Sequence, residues 1–565
     1  MKRTAFYAGF LFLTAILFNG DSFAAAPKPV YARNGMVVSA SEYASDAGVT
    51  ILRAGGNAVD AGVATAFALG VVEQYSSGLG GGCFIMIFLA DRDSIAVIDG
   101  REKAPMGAKS DMYIDKTTGL PNPLLSMEGI LAGGVPGEAA ALDLARTLYG
   151  TKTLAELLQP AIELADNGFV VSQTYSEHLS KAAPLLVKFP DSKAVYFKND
   201  STVWQAGDLL VQKDLAWSLR QIAEKGVDAF YKGAVADKIA EFERKQGGLI
   251  TKKDLENYQP VTRNPLRGTY RGYDIISMPP PSSGGVHLIQ MLNILENYNL
   301  KQMGHNSSLY IHTLAEAMRP AFADRAQYLG DPDFVKIPLD TIISKGYSQA
   351  LFNRMQPYQT GEVKPGQFEV KTEGHTTHLS VVDRYGNMCA ITATVNTTYG
   401  SGMTIAGTGI ILNNEMDDFT AAPGAANFFG LVGTEANSIQ PGKRPLSSMT
   451  PTFVLKEHQP VIVLGSPGGP RIITAVLQTI LNTIDFGMDI QEAVSAPRVH
   501  HQWKPDVLFT EYDIPIDVLE NLVNKGHRIR SGYAGSTVEA IYIDQVNGWL
   551  YGGADPRNEG KAVGF

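Results

Sequence analysis

Cysteine is nearly absent: Cys83 and Cys389 are the only two in 565 residues. A thiol-ligated metal centre of the usual multi-cysteine kind is thereby excluded, and stability has to come from the core rather than from a disulfide framework. Both cysteines sit in apolar runs, Gly82-Cys83-Phe84-Ile85-Met86-Ile87-Phe88 and Met388-Cys389-Ala390-Ile391. They read as small buried hydrophobes in strands, with a disulfide between them left open. Basic charge is scarce too. The formal net charge is -9 with no long basic stripe, which argues against a nucleic-acid partner. Beyond residue 18 no apolar run approaches the ~20 residues of a membrane span.

The first residues carry an address. Lys2 and Arg3 precede an almost uncharged apolar run over 4–18, followed by small residues with Ser22-Phe23-Ala24 and Ala24-Ala25-Ala26 as cleavage candidates. This is the plan of a secretory signal peptide over 1–24, cut at 24 to 26. An uncleaved N-terminal anchor is the alternative reading. The expected location is periplasmic or secreted, with no stable membrane anchor.

The rest reads as a layered α/β chain without an obvious linker. Helices are expected over 41–70 with a break at Gly55-Gly56, and over 138–149, 154–167, 216–246 with interruptions, 285–297, 308–330 and 471–486. Strands are expected over 83–89, 94–98, 377–383, 388–396, 405–413, 451–455, 461–464, 537–544 and 549–551. In the pair around Arg384-Tyr385-Gly386-Asn387, Leu379, Val381, Cys389, Ile391 and Val395 are apolar, while Thr392, Thr394 and Asn396 share a face. The stretch 356–371, broken by Pro357 and Pro365, has no periodicity and reads as an exposed approach to a special site.

That site opens at Gly374-His375-Thr376-Thr377-His378. Were the chain cut at His375-Thr376, Thr376 would carry a hydroxyl and a free α-amine with a pKa near about 8, able to take the hydroxyl proton at neutral pH. A strand-edge or capping threonine is the plainer reading of the residue alone. Thr394 can bond the nucleophilic oxygen, and Asn396 can bind substrate. Glu415, Asp417 and Asp418 read as a solvated turn or, facing an ammonium group, Glu415 and Asp418 as charge-assisted acceptors. Ser447 and Ser448 can donate to a carboxylate held by Arg101, unless Arg101 pairs with Asp99 or Glu102. In Gly465-Ser466-Pro467-Gly468-Gly469-Pro470-Arg471 the glycines allow backbone N–H groups to approach an anion. No phosphate-loop ending follows, which leaves a tight turn or an oxyanion hole at Gly468 and Gly469. Gly78-Leu79-Gly80-Gly81-Gly82 would let backbone pack beside the cleft. His500-His501 diverge along a regular backbone, and the stretch 312–325 has no clean zinc motif, so no metal and no cofactor are expected.

Taken together, Thr376-Thr377-His378-Leu379-Ser380-Val381-Val382-Asp383, Asn413-Asn414-Glu415-Met416-Asp417-Asp418-Phe419, Pro445-Leu446-Ser447-Ser448-Met449 and Gly465-Ser466-Pro467-Gly468-Gly469 resemble the γ-glutamyltransferase family in its exported bacterial branch. The resemblance runs from about residue 30 to the C-terminus. It implies an N-terminal-nucleophile hydrolase fold, a four-layer αββα sandwich shared by a large subunit, 25–375, and a small catalytic subunit, 376–565, which form a heterodimer after autocleavage between His375 and Thr376. Carried over residue by residue, it makes Thr376 the nucleophile and Thr394 its positioner, and gives the oxyanion hole to the amides of Gly468 and Gly469. Arg101, Ser447 and Ser448 would hold the donor's α-carboxylate, and Asn396, Glu415 and Asp418 its α-amino group. Glutathione and glutamine are the implied donors, with water, amino acids or dipeptides as acceptors. The segment 423–430 resembles the family's lid, with Phe429 where many lidded members have tyrosine. Family relatives also include acylases for glutaryl-cephalosporins and enzymes of poly-γ-glutamate, and an inactive binding protein on the same scaffold is a third reading.

Overall fold

A computed structural model describes residues 27–361, 376–532 and 536–565. The expected leader with its cut at 24 to 26, His375 of the expected cleavage bond, and most of the stretch 356–371 lie outside the described residues.

Two seven-stranded antiparallel sheets form the centre. One runs in the order Lys561–Gly564, Gly35–Ser39, Thr376–Asp383, Met388–Thr394, Gly82–Leu89, Ser94–Gly100, Val261–Arg263. The other runs Val30–Ala32, Trp549–Ala554, Glu539–Asp544, Gln459–Gly465, Thr452–Lys456, Tyr273–Ser277, Leu266–Tyr270. Sequence from both sides of residue 375 enters each sheet, so the two halves share one core.

Period-two alternation explains the layers, because successive side chains of a strand face opposite sides. Val37, Leu379, Val381, Ile87 and Cys389 pack outward against a helical layer that includes Glu42–Arg53 and Ala58–Val72. Their neighbours Val38, Val382, Phe88 and Ala390 turn inward, where they meet Ile276, Phe453, Val463 and Ile541 of the second sheet. Beyond that sheet lie the helices Gly284–Leu295, Ser308–Tyr328 and Arg471–Ile484. The strand Thr376–Asp383 is buried along its whole length. A four-layer αββα sandwich is the outcome, as expected. Among the described residues no helix is long and apolar enough to cross a membrane.

Most expected elements are present within a few residues. The break at Gly55-Gly56 separates Glu42–Arg53 from Ala58–Val72, whose start is fixed by an Asn57–Asp60 capping box. One expectation fails: 405–413 is not a strand but two short pieces, Thr404–Ile405 and Ile410–Ile411. Gly407 and Gly409 take positive φ, 64° and 67°, which folds the run back on itself. Cys83 and Cys389 are buried free thiols in adjacent strands.

Candidate functional site

Strand register builds the site. Thr376 pairs with Thr394, His378 with Thr392 and Ser380 with Ala390, which sets a polar ladder on the inward face. Thr376 Oγ1 and Thr394 Oγ1 are 3.2 Å apart, and Thr394 Oγ1 also accepts the Asn396 amide at 2.8 Å. One step down, His378 Nδ1 and Thr392 Oγ1 lie 2.8 Å apart. Burial lowers the His378 ring to about 3, so it is a neutral part of the core. On the opposite face Thr377 donates to Glu73 at 2.8 Å.

Backbone crowding brings other segments to this edge. A Cβ on Gly80 would run into the Ile411 carbonyl and one on Gly81 into that of Thr394, which accounts for the glycine run at 78–82. Gly468 and Gly469 have φ of 116° and 59° and lead into the helix Arg471–Ile484. They occupy the conformations that favour glycine and place a helix N-terminus beside the pocket.

A narrow cleft gathers Thr376, Thr394, Asn396, Arg101, Glu415, Asp418, Phe429, Ser447, Ser448 and Gly469. Residues from separate parts of the chain thus converge; Gly468 stands one position behind this lining. Its charged wall differs from the arrangement the sequence suggests. Arg101 does not face the carboxylates across a gap. Its guanidinium bonds directly to Glu415, reaches Asp418 at 2.5 Å and Glu102 at 3.6 Å, and donates to the Pro445 carbonyl at 3.2 Å. The Asp99 alternative survives only as a bond to the Arg101 backbone amide, 3.0 Å. Burial pulls the Arg101 guanidinium down, yet the Glu415 and Asp418 charges outweigh it and hold it above its ordinary value. Burial raises both carboxyls, with Arg101 opposing. Glu415 Oε2 has no hydrogen-bond partner among the described residues. Asn396 gives its side-chain N–H to the Asn414 carbonyl at 2.9 Å, which leaves its amide oxygen to accept.

The segment 423–430, expected as a lid, is tied to Asp418 and its neighbour Asp417. Asn427 donates to Asp418 at 3.1 Å, and the Phe428 amide donates to Asp417 at 2.8 Å. Asp417 also accepts Ser126 at 2.7 Å, and burial raises its carboxyl to about 6. Phe429 is 6% exposed, and its ring lies where a Cβ on Gly469 would fall. Asp417, Asn427 and Ser126 were missed as supports because nothing in their spacing points to one another.

The histidines read differently from the metal question posed by the sequence. His312, Glu316 and His527 come together from distant segments. His312 Nδ1 lies 2.8 Å from His527 Nε2 and its Nε2 lies 2.7 Å from the Gln356 carbonyl, while Glu316 pairs with Arg319 at 2.8 Å and accepts the Gly361 amide at 3.2 Å. The cluster anchors 356–361, the described start of the approach to Thr376.

Three comparisons bear on this geometry. A family model described as gamma-glutamyltranspeptidase matches residues 44–565. The glutathione hydrolase proenzyme of Escherichia coli (strain K12) is 46% identical over 536 residues, which cover 94% of this chain and 91% of that protein. Among solved structures, a cephalosporin acylase from Bacillus halodurans matches with a TM-score of 0.85 at 30% identity, over 97% of this chain and 99% of that one. A chain of the Helicobacter pylori gamma-glutamyltranspeptidase is 47% identical with a TM-score of 0.57, over 58% of this chain and 94% of that one.

Proposed function

The chain belongs to the γ-glutamyltranspeptidase family of N-terminal-nucleophile hydrolases, and we infer that it is an exported, self-processing enzyme that opens γ-glutamyl amide bonds through an ester on Thr376. The observation that carries this reading is the convergence of Thr376, Thr394 and a three-member charge cluster, Arg101, Glu415 and Asp418, on one cleft.

Processing comes first. The Thr376 hydroxyl attacks the His375 carbonyl, the peptide nitrogen leaves as the Thr376 amine, and water hydrolyses the resulting ester. Residues 25–375 and 376–565 then form the large and small subunits, held by the sheets they share. The freed amine is the local base, since an α-amine with a pKa near about 8 accepts a proton at neutral pH. Thr394, with its oxygen bonded by the Asn396 amide, positions the nucleophile.

Substrate binding exchanges ion pairs. In the free cleft Arg101 is paired with Glu415 and Asp418. A γ-glutamyl head brings one carboxylate and one ammonium: its carboxylate goes to Arg101, Ser447 and Ser448, and its ammonium to Glu415, Asp418 and the Asn396 oxygen. Because both partners of the pair are re-satisfied, the exchange avoids the desolvation cost of an unpaired buried charge. Thr376 Oγ1 then attacks the γ-carbonyl, and the amides of Gly468 and Gly469 stabilise the oxyanion. The amine of cysteinylglycine leaves from glutathione, or ammonia from glutamine, taking the proton. Water, or the amine of an amino acid or dipeptide, releases the acyl group from Thr376.

A glutaryl donor, the alternative raised by the acylase likeness, lacks the ammonium and would leave Glu415 and Asp418 without an incoming partner. Rates on γ-glutamyl-4-nitroanilide and glutaryl-4-nitroanilide test the choice. The γ-glutamyl compound is expected to be faster by at least about a hundredfold, the loss of two charge-assisted bonds; equal rates, or a glutaryl preference, would overturn the assignment.

A further inference from the structure

Arg325 lies on the helix Ser308–Tyr328 and is 5% exposed. Among the described residues no carboxylate lies within ion-pair distance of it, although the Asp418 charge acts on it from further off, whereas four other buried arginines, Arg101, Arg319, Arg444 and Arg498, each have one. A buried cation is costly unless its hydrogen bonds and charge are satisfied, so its partners are informative. Nε donates to Ser283 Oγ at 3.1 Å and one terminal nitrogen to Ser448 Oγ at 3.4 Å. Ser283 Oγ in turn donates to the Ser447 carbonyl at 2.8 Å. The guanidinium therefore bonds the Ser448 hydroxyl directly and reaches the Ser447 backbone carbonyl through Ser283.

Hydroxyl accounting gives this grip a direction. A serine oxygen that accepts a hydrogen bond still has its own proton to donate. Ser448 Oγ accepts from Arg325, and Ser447 Oγ accepts the Met449 amide at 3.1 Å. Neither hydroxyl donates to an acceptor among the described residues, and both line the Thr376 cleft. Arg325 itself lines a small neighbouring pocket, which shares Asp418 and Leu431 with that cleft. Arg101, the other cation here, has its guanidinium committed to Glu415 and Asp418.

We propose that Arg325 is a positioning and charge-supplying residue for the carboxylate end of the donor. It holds Ser448 with its hydroxyl proton turned to the cleft, braces the Ser447 backbone through Ser283, and adds a cation beside Arg101 whose charge Asp418 meets only from beyond ion-pair distance. This rests on the γ-glutamyl reading above. Arg325 acts through Ser448 and touches no reacting atom.

The test is steady-state hydrolysis of γ-glutamyl-4-nitroanilide by Arg325→Gln, Arg325→Lys, Ser448→Ala and the double variant Arg325→Gln/Ser448→Ala. Inhibition by L-glutamate is compared with inhibition by its α-amide. Arg325→Gln is expected to raise KM about tenfold or more with kcat within about threefold, the pattern of lost ground-state binding, and Arg325→Lys to recover most of it. The preference for L-glutamate over its α-amide should fall by a similar factor. The double variant should lose less than the product of the single losses, because both changes disable one hydroxyl. Independent, multiplying losses, or an unchanged preference for the carboxylate, would overturn the proposal. Appearance of both fragments reports folding, and Arg325→Lys with Ser448→Ala keeps the test decisive if the glutamine variant fails to mature. A wild-type enzyme inert on the anilide strikes the γ-glutamyl reading itself; an active wild type with unaltered variants strikes only Arg325.

Discussion

Thr376 and Thr394 face each other across two hydrogen-bonded strands, their Oγ1 atoms 3.2 Å apart. The pairing is a consequence of strand register rather than of sequence proximity, and the Asn396 amide fixes the second oxygen. Thr394→Val keeps the shape and removes the hydrogen bond, so it should slow both processing and anilide hydrolysis by about 10²-fold, within the range for loss of one positioned group. Thr394→Ser should retain most of both. Timed appearance of the two fragments and kcat measure this; a valine variant that matures and turns over normally contradicts it.

Arg101 and its carboxylates behave as one unit. Arg101→Gln leaves Glu415 and Asp418, one 1% exposed and the other lightly exposed, without their cation. The expected loss is roughly 3–5 kcal/mol of stability, the penalty for breaking a buried pair, together with loss of donor binding. Asp418→Asn is milder, with KM for γ-glutamyl donors raised about 10–100-fold by loss of a charged acceptor for the ammonium. Urea titration and kinetics separate the two; wild-type stability in Arg101→Gln contradicts the account.

Phe429 keeps an aromatic wall beside Gly469 without a phenolic hydrogen-bonding group. Phe429→Tyr should tighten closure and shift the product ratio from hydrolysis toward transfer when a dipeptide acceptor is present. An unchanged ratio sinks this reading of the lid.

Asp417 gives the segment it holds at Phe428 a pH signature. Burial raises its carboxyl to about 6 despite the bonds from Ser126 and the Phe428 amide. The folded chain therefore holds a proton where the unfolded chain has released it, and the stabilisation is full below the usual carboxylate value and lost as pH rises through the folded one. The stability of wild type minus that of Asp417→Asn should fall by roughly 2 kcal/mol between about pH 4 and about pH 6.5. Paired urea titrations check it; a difference that is flat or rises with pH contradicts it.

The sequence carries the inward strand faces well, because alternation alone assigns Thr392 and Thr394 to one side; Asn396, expected on the same strand, lies past its end with a φ of 78° and reaches the cleft from the turn. It also carries the helix break at Gly55-Gly56. The run 405–413 misleads, since its apolar residues suit a strand while Gly407 and Gly409 bend it. Motifs identify Arg101, Glu415 and Asp418 but imply separate poles; their direct pairing depends on how the loop after Leu412 meets the end of Ser94–Gly100, a tertiary matter. Arg325 escapes for a related reason. Its tie to Ser448 spans 123 residues, and local spacing holds no trace of such a contact.

The most direct test is intact-mass analysis with N-terminal mapping of the expressed chain, combined with the anilide assay. The account predicts two fragments, a new N-terminus at Thr376, and the loss of both cleavage and activity in Thr376→Ala. An uncut chain that hydrolyses γ-glutamyl-4-nitroanilide, or activity that survives Thr376→Ala, would contradict it.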